Sequence, residues 1–284
     1  MPRAMRASLV RVTGVIDAMY RTLLRAGHDS GGWEPVTDGE SEAAVFRSED
    51  GTRYAKCVPA DSANSLEEER DRVDWLSGQG VPGPRVLDWR VTPDAACLLT
   101  STVAGIPADQ VTASQLLAAW EPIADAVRHL HDLPARRCPF SRDLSLMFAT
   151  ARDVVARGAV NPEFLPEDQQ RTPADELLAL LVPQLEQRLA QEDGESVVCH
   201  GDLCLPNIVL DPETLSVAGF IDLGRLGRAD PYADIALLLA NSRETWADER
   251  RATAADEAFA GRYGIELDRE REMFYLHLDP LTWG

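Results

Sequence analysis

Residues 199–207 read CHGDLCLPN, and fifteen positions beyond Asn207 stands Asp222, in GFIDLG. No lysine or arginine lies between Asp202 and Asp222. Acidic and amide oxygens grouped without a counter-charge call for a cation, a proton or a reacting hydroxyl. Magnesium takes oxygen ligands and keeps water and phosphate oxygens in its shell, so the Asp222 carboxylate and the Asn207 amide carbonyl suit it. Asp202 is then left to accept a hydrogen bond from an attacking hydroxyl. That division of labour is the one used in phosphoryl transfer, where catalysis is mainly positioning and charge neutralisation. The HGD triplet alone is a cheap match. Its fixed distance to Asn207, and the apolar run leading into IDLG, make the pattern more specific.

A kinase of this kind also needs a strand lysine to hold the α- and β-phosphates, and a helix glutamate to orient it. Among 28 basic residues the chain has one lysine, Lys56, in RYAKCVP. A compact ammonium at such a point is not replaced by the broad guanidinium fork. Glu67, Glu68 and Glu69 in the next helical segment are all within reach along the chain, and an exposed acidic face is the plain alternative for any two of them. Upstream, the turn DGESEAAV could offer backbone N–H groups to phosphates, a weak signal by itself.

These residues require particular elements to carry them. From Trp33 to about Val58 short apolar and polar residues alternate, and Glu49-Asp50-Gly51 marks a hairpin. SLEEERDRVDWLSGQG reads as a helix, with Leu66, Val73 and Leu76 on one side and Gly78 and Gly80 as stops. PRVLDWRVT and ACLLTSTV read as further strands, and Gly105-Ile106-Pro107 as a boundary. Beyond it, Leu116, Trp120, Ile123, Val127 and Leu130 line one face of a helix with Thr112 as N-cap. A second amphipathic run carries Leu177, Leu178, Leu181, Leu185 and Leu189, and AVNPEFLPEDQQRTP between the two is a proline-broken acidic loop. SVVC, NIVLD and VAGFID read as strands before a last helical section from Tyr232. The expected class is α+β: a small β-rich lobe over residues 28–104 and a larger, mainly helical lobe over residues 105–284.

At 284 residues the chain can bury a full core. A net charge of −19 disfavours nucleic acid as partner and is compatible with attracting cationic small molecules. No apolar run approaches the ~20 residues of a membrane span. Residues 1–27 hold five arginines and one acid, and their apolar stretch is broken by Arg11 and Asp17, unlike a signal peptide. They are expected to be a mobile basic extension outside the core fold. Five scattered cysteines show no metal-site spacing and are expected to be reduced thiols of a cytoplasmic protein.

From about Trp33 onward the chain resembles the aminoglycoside phosphotransferases, of bilobal protein-kinase-like fold, and most closely their streptomycin 3''-phosphotransferase branch. The likeness rests on CHGDLCLPN, IDLGRLG, AVNPEFLPED and YLHLDPLTWG. It implies a kinase using ATP and Mg²⁺ to phosphorylate the 3''-hydroxyl of streptomycin and so inactivate it, with no nucleic-acid, membrane or obligate protein partner. By the same resemblance Asp202 is the catalytic base, and Asn207 and Asp222 hold magnesium. Lys56, paired with Glu69, contacts the phosphates, which Gly39 and Ser41 cover. Backbone groups of Ser101 and Val103 hydrogen-bond adenine. Streptomycin carries guanidinium groups that paired hydrogen bonds to carboxylates would recognise, and Asp279 is the first candidate, with Glu163 and Asp168 behind it. His200 is read as a structural residue of the loop, His129 and His131 as packing or surface residues, and Asp234 as a hydrogen-bond partner of the catalytic loop. Two alternatives stand: a kinase of another aminoglycoside or small alcohol, and a pseudokinase that binds ligand without chemistry.

Overall fold

The computed structural model describes Tyr20, Leu23, Leu24, residues 32–36 and residues 43–284. The chain divides into two compact units, Met1–Val103 and Ala104–Gly284. The α+β class expected from the patterning is the one that forms.

The first unit is built on five antiparallel strands: β1 (Trp33–Val36), β2 (Ala44–Ser48), β3 (Arg53–Pro59), β4 (Val86–Val91) and β5 (Ala95–Ser101), in the order β1-β2-β3-β5-β4. The β2–β3 hairpin closes through Gly51, whose φ of 69° places it in the left-handed region, with its amide donating to the Ser48 carbonyl at 2.8 Å. Alternation along β3 sorts its side chains between the two faces. Val58, Ala96 and Leu98 meet Leu66 of helix α1 (Ala63–Ser77) on one face. Ala55, Cys57, Cys97 and Leu99 form the other face with Trp33, Phe46, Tyr20 and Leu24. Lys56 lies on the α1 side of this alternation, two residues before Val58.

Two expectations fail in this unit. Tyr20 and Leu24 are buried against the sheet, so the segment 1–27 is not wholly outside the core fold. Cys57 and Cys97 are direct cross-strand partners on β3 and β5 and are joined as a disulfide, so the expectation of five reduced thiols holds only for Cys138, Cys199 and Cys204. The sequence separation of 40 residues hid a pairing that only strand register reveals.

The second unit is mainly helical. Helix α2 (Ala113–His131) starts with a capping box, Thr112 and Gln115 each satisfying the other's backbone amide. Its apolar stripe is buried, and the Trp120 indole N–H donates to the Ala255 carbonyl at 2.7 Å. Helix α3 (Leu144–Ala156), capped by Asp143, was not anticipated. The leucine run expected as one helix is two, α4 (Ala174–Leu181) and α5 (Leu185–Glu195), separated by a 3-10 turn at Val182–Gln184. Pro183 lacks the amide that would continue the helix. Three helices close the chain: α6 (Tyr232–Ser242), α7 (Glu249–Tyr263) and α8 (Arg269–Leu278). Short strands thread between helices. β6 (Ile106–Pro107), β8 (Ile208–Leu210) and β9 (Val217–Phe220) make one sheet, and β7 (Val197–Cys199) pairs antiparallel with β10 (Gly227–Ala229).

Glu192 of α5 ties this framework together. Its buried carboxylate accepts from the amides of Leu144, at the start of α3, and Asp230, at the end of β10. Burial pushes its pKa up to about 7 against the pull of those amides, with Asp230 and Asp143 adding to the rise. The folded value exceeds the unfolded one, so folding takes up a proton between them. The resulting stability is complete below the unfolded pKa of about 4.5 and is lost as pH rises through about 7. The thermal midpoint of Glu192→Gln should therefore vary less with pH between 5 and 8 than that of the wild type. Parallel curves for the two proteins would refute the assignment.

Candidate active site

In the first unit the Lys56 ammonium meets the Glu69 carboxylate at 2.8 Å, both side chains being largely shielded. Strand alternation aims the lysine toward α1, and Glu69 sits one helical turn past Leu66. Glu67 and Glu68 bind Arg70 and Arg72 on the exposed side. Of the three candidate glutamates, geometry selects Glu69. Ser101 is less open to adenine than expected, because its amide donates to the Arg85 carbonyl and its hydroxyl accepts from the Arg85 amide, both at 2.9 Å. Val103 lies just beyond β5, at the end of the unit. Gly39 and Ser41 lie outside the described residues.

In the second unit β7 ends at Cys199 and releases the loop His200–Cys204, after which a 3-10 turn, Leu205–Asn207, leads into β8. Asp202 stands in this loop, half-buried. Asn207 donates its amide Nδ2 to the Asp202 carbonyl at 2.8 Å and to the Asp202 carboxylate at 3.1 Å. With its N–H₂ committed there, the amide turns its carbonyl oxygen the other way, as a cation ligand must. The antiparallel β8–β9 pair and the bond from the Ile221 amide to the Asn207 carbonyl, 3.0 Å, bring Asp222 alongside Asn207. Asp222 has φ 60° and ψ 56°, a left-handed conformation that a non-glycine residue rarely adopts. One carboxylate and one amide carbonyl beside the Asp202 carboxylate make a donor set suited to magnesium.

The electrostatics fit a poised carboxylate. Burial raises the pKa of Asp202 above its ordinary value; Asp279 and Asp222 add to the rise, while His200 and Arg225 oppose it. His200 uses both ring nitrogens within the loop framework, Nε2 with the Ile221 carbonyl at 2.9 Å and Nδ1 with the Asp202 amide at 3.3 Å. That is the structural role expected of it. Asp234 of α6 lies beneath, wholly buried, accepting the His200 amide at 2.6 Å and the Gly201 amide at 2.7 Å.

Asp279 requires a correction. Its buried carboxylate accepts from Arg142 at 2.7 Å, from the Trp283 indole at 2.9 Å and from Arg225 at 3.5 Å. A carboxylate so committed is a hub for the chain's last turn and not an open receptor for a ligand's guanidinium. Arg225 also stacks over the Trp283 ring at 3.4 Å, and burial draws its pKa down to about 10. Glu163 and Asp168, in contrast, are exposed. They stand on the segment whose Phe164 packs edge-on against Trp283, 6.1 Å between centroids. Arg142 and Asn241, which accepts the Leu205 amide at 2.8 Å, escaped the sequence reading because neither stands in a motif with the loop it supports.

Residues 32–274 match the profile described as the phosphotransferase enzyme family. This chain belongs to that family. The phosphotransferase is 65% identical to a streptomycin 3''-kinase of Streptomyces griseus, over 89% of this chain and 93% of the relative. It is 40% identical to an aminoglycoside 3'-phosphotransferase of Streptomyces fradiae, over 92% and 99% respectively. Among solved structures it resembles the aminoglycoside phosphotransferase APH(3'')-Id of Streptomyces rimosus, with a TM-score of 0.91 and 70% identity, covering 94% of this chain and 98% of that one. The same relative has also been solved in complex with ADP and streptomycin, at a TM-score of 0.90. The phosphotransferase thus has the kinase-like fold of these enzymes.

Proposed function

We propose that this phosphotransferase moves the γ-phosphoryl group of ATP to the 3''-hydroxyl of streptomycin, inactivating the antibiotic. The observation that carries the reading is the catalytic loop, with Asp202 held by Asn207 and Asp222 alongside, in a chain 69% identical to a relative solved with ADP and streptomycin. Asp202 accepts a hydrogen bond from the acceptor hydroxyl, orients its lone pair toward the γ-phosphorus and takes up the proton as the new P–O bond forms and the bond from the γ-phosphorus to the β,γ-bridging oxygen breaks, ADP leaving with that electron pair. Lys56, steadied by Glu69, neutralises and aligns the α- and β-phosphates. The residues that would hold Mg²⁺ are Asn207, through its carbonyl oxygen, and Asp222; the ion would offset charge on the phosphate oxygens. Val103 offers backbone groups to adenine, Ser101 offers its carbonyl, and Gly39 and Ser41 cover the phosphates. Glu163 and Asp168 are the carboxylates for the guanidinium groups of streptomycin, in place of Asp279. The site is cytoplasmic, where ATP is available; among the described residues no helix is long and apolar enough to cross a membrane.

Mass spectrometry of streptomycin incubated with protein, ATP and magnesium tests this directly. One added phosphoryl group, placed by NMR at the 3'' position, is expected. An unmodified antibiotic would overturn the reading, and turnover of another aminoglycoside or of choline in its stead would redirect it. Retention of Lys56, Glu69, Asp202, Asn207 and Asp222 disfavours a pseudokinase.

Lys56→Arg keeps the charge but places a wide fork where one ammonium fits against Glu69. We expect kcat/KM for ATP to fall by at least about tenfold, since small misplacements of reacting groups are costly. Unchanged steady-state kinetics would reduce the lone lysine to an accident of composition.

A further inference from the structure

Asp234 supports the two amides that precede Asp202, yet a buried carboxylate can rotate unless something fixes it. The third donor on that carboxylate comes from α2. His131, 4% exposed, places Nε2 at 3.1 Å from Asp234 Oδ2, the oxygen that also accepts the His200 amide. Its other nitrogen, Nδ1, lies 2.8 Å from the hydroxyl of Tyr263, the last residue of α7. Burial holds the Tyr263 phenol well above its usual pKa, so it remains protonated and able to donate. One tautomer satisfies every atom: the Tyr263 hydroxyl donates to Nδ1, and Nε2–H donates to Asp234. His131, Cys199 and Asp234 also bring donor atoms within 4.8 Å of one another. Both imidazole nitrogens are already engaged and the Cys199 thiol points to the Asp230 carbonyl at 3.3 Å, so this group is a hydrogen-bond relay and not a metal site.

We propose that His131 is a positioning residue for phosphoryl transfer, locking the Asp234 carboxylate and, through the His200 and Gly201 amides, the backbone that aims Asp202. At the start of the loop the backbone amides share one anchor. His200 and Gly201 lie outside the β7–β10 ladder, and both their amides end on this one carboxylate. Tyr263 adds a second anchor: its ring packs edge-on against the imidazole, and its own carbonyl accepts Arg128 of α2 at 2.7 Å. The α2–α7 pair therefore bears on the catalytic loop through one imidazole. The sequence reading of His131 as a packing or surface residue is replaced; His129, two positions earlier, is exposed as expected.

The inference rests on the proposed streptomycin kinase activity, and its test includes a readout that does not. In the full chain, His131→Leu fills the space without a donor, and His131→Gln restores an N–H near the Nε2 position. His131→Leu should lower kcat by about ten- to a hundredfold, with both KM values within about twofold, and His131→Gln should recover most of the loss. By hydrogen exchange, the His200 and Gly201 amides should lose protection in His131→Leu and keep it in His131→Gln, while amides of α1 stay unchanged. Equal losses of kcat in both variants, or unaltered exchange at His200 and Gly201, would overturn the proposal. If His131→Leu does not fold, Tyr263→Phe takes its place. It should lower kcat several-fold in the wild type and add nothing in His131→Gln, and additive losses would refute the relay. A wild type inactive on streptomycin would sink the functional reading alone and leave the exchange data to decide this one.

Discussion

Asp202→Ala is expected to lower kcat for streptomycin phosphorylation by about 10²–10⁴-fold, the range general base catalysis supplies, while nucleotide binding persists. In its proposed role the carboxylate acts on the acceptor hydroxyl, and in a loose phosphoryl-transfer transition state the proton moves late, so much of its effect is orientation. The structure adds a complication that the sequence did not show. Asn207, a proposed magnesium ligand, donates to both the carbonyl and the carboxylate of Asp202. Alanine keeps the first of these bonds and removes the second, so a modest rise in KM for MgATP should accompany the fall in kcat. Asp202→Asn separates the two effects. It preserves shape and can still accept from Asn207 through its amide oxygen, but it cannot take a proton. If kcat falls as far in Asp202→Asn as in Asp202→Ala, with KM for MgATP restored, the base role stands. A variant retaining more than about a tenth of wild-type kcat would contradict it.

What the chain disclosed in advance follows the range of the interactions. Residues close in sequence were found: the loop from His200 to Asn207 fixes its own geometry by short-range bonds, and Asp222 follows after one β-hairpin. Lys56 was readable because composition isolates it, and Glu69 because it stands on the helix that follows the strand. Period-2 alternation and leucine spacing gave most element types, and Pro183 splits the leucine run by simple loss of an amide. The failures concern partners brought together from far apart. Cys57 meets Cys97 only because β5, not β4, lies beside β3. Asp279 looked like a ligand receptor, and no local pattern reveals that Arg142 and Arg225, 137 and 54 residues away, use up its charge. His131 was similarly hidden, its two partners lying 103 and 132 residues along the chain. Burial and long-range polar pairing are tertiary facts, and a buried histidine on an apolar helix face reads like any other core residue until its partners are placed.

Gly201 is the position where one methyl group should do the most damage. Its φ of 84° lies where side chains other than glycine's are strained. A Cβ added there would collide with the Arg225 carbonyl oxygen, lie 2.7 Å from that carbonyl's carbon and 2.6 Å from Arg142 Cδ. Arg142 could swing only by releasing Asp279, which it holds at 2.7 Å. The Arg225 backbone could retreat only by shifting the 3-10 turn that begins just after Asp222. Either way the strain passes to the proposed base or to the proposed magnesium ligand, because Gly201 lies directly before Asp202 and its amide is pinned to Asp234. A left-handed backbone costs a Cβ-bearing residue about 1–2 kcal/mol, too little by itself to unfold a domain. The main loss should therefore be kinetic. Gly201→Ala should remain folded, with its thermal midpoint lowered by a few degrees, and should lose about 10²-fold or more in kcat, the cost of misplacing a reacting group by about 1 Å. KM for MgATP should rise only modestly, because Lys56 and Glu69 belong to the other unit while a shift of the turn after Asp222 loosens one proposed magnesium contact. Circular dichroism melts alongside steady-state kinetics decide the matter. Wild-type kcat in a folded Gly201→Ala would show that the loop can absorb the methyl group and that the close approach of the Arg225 carbonyl does not govern where Asp202 points.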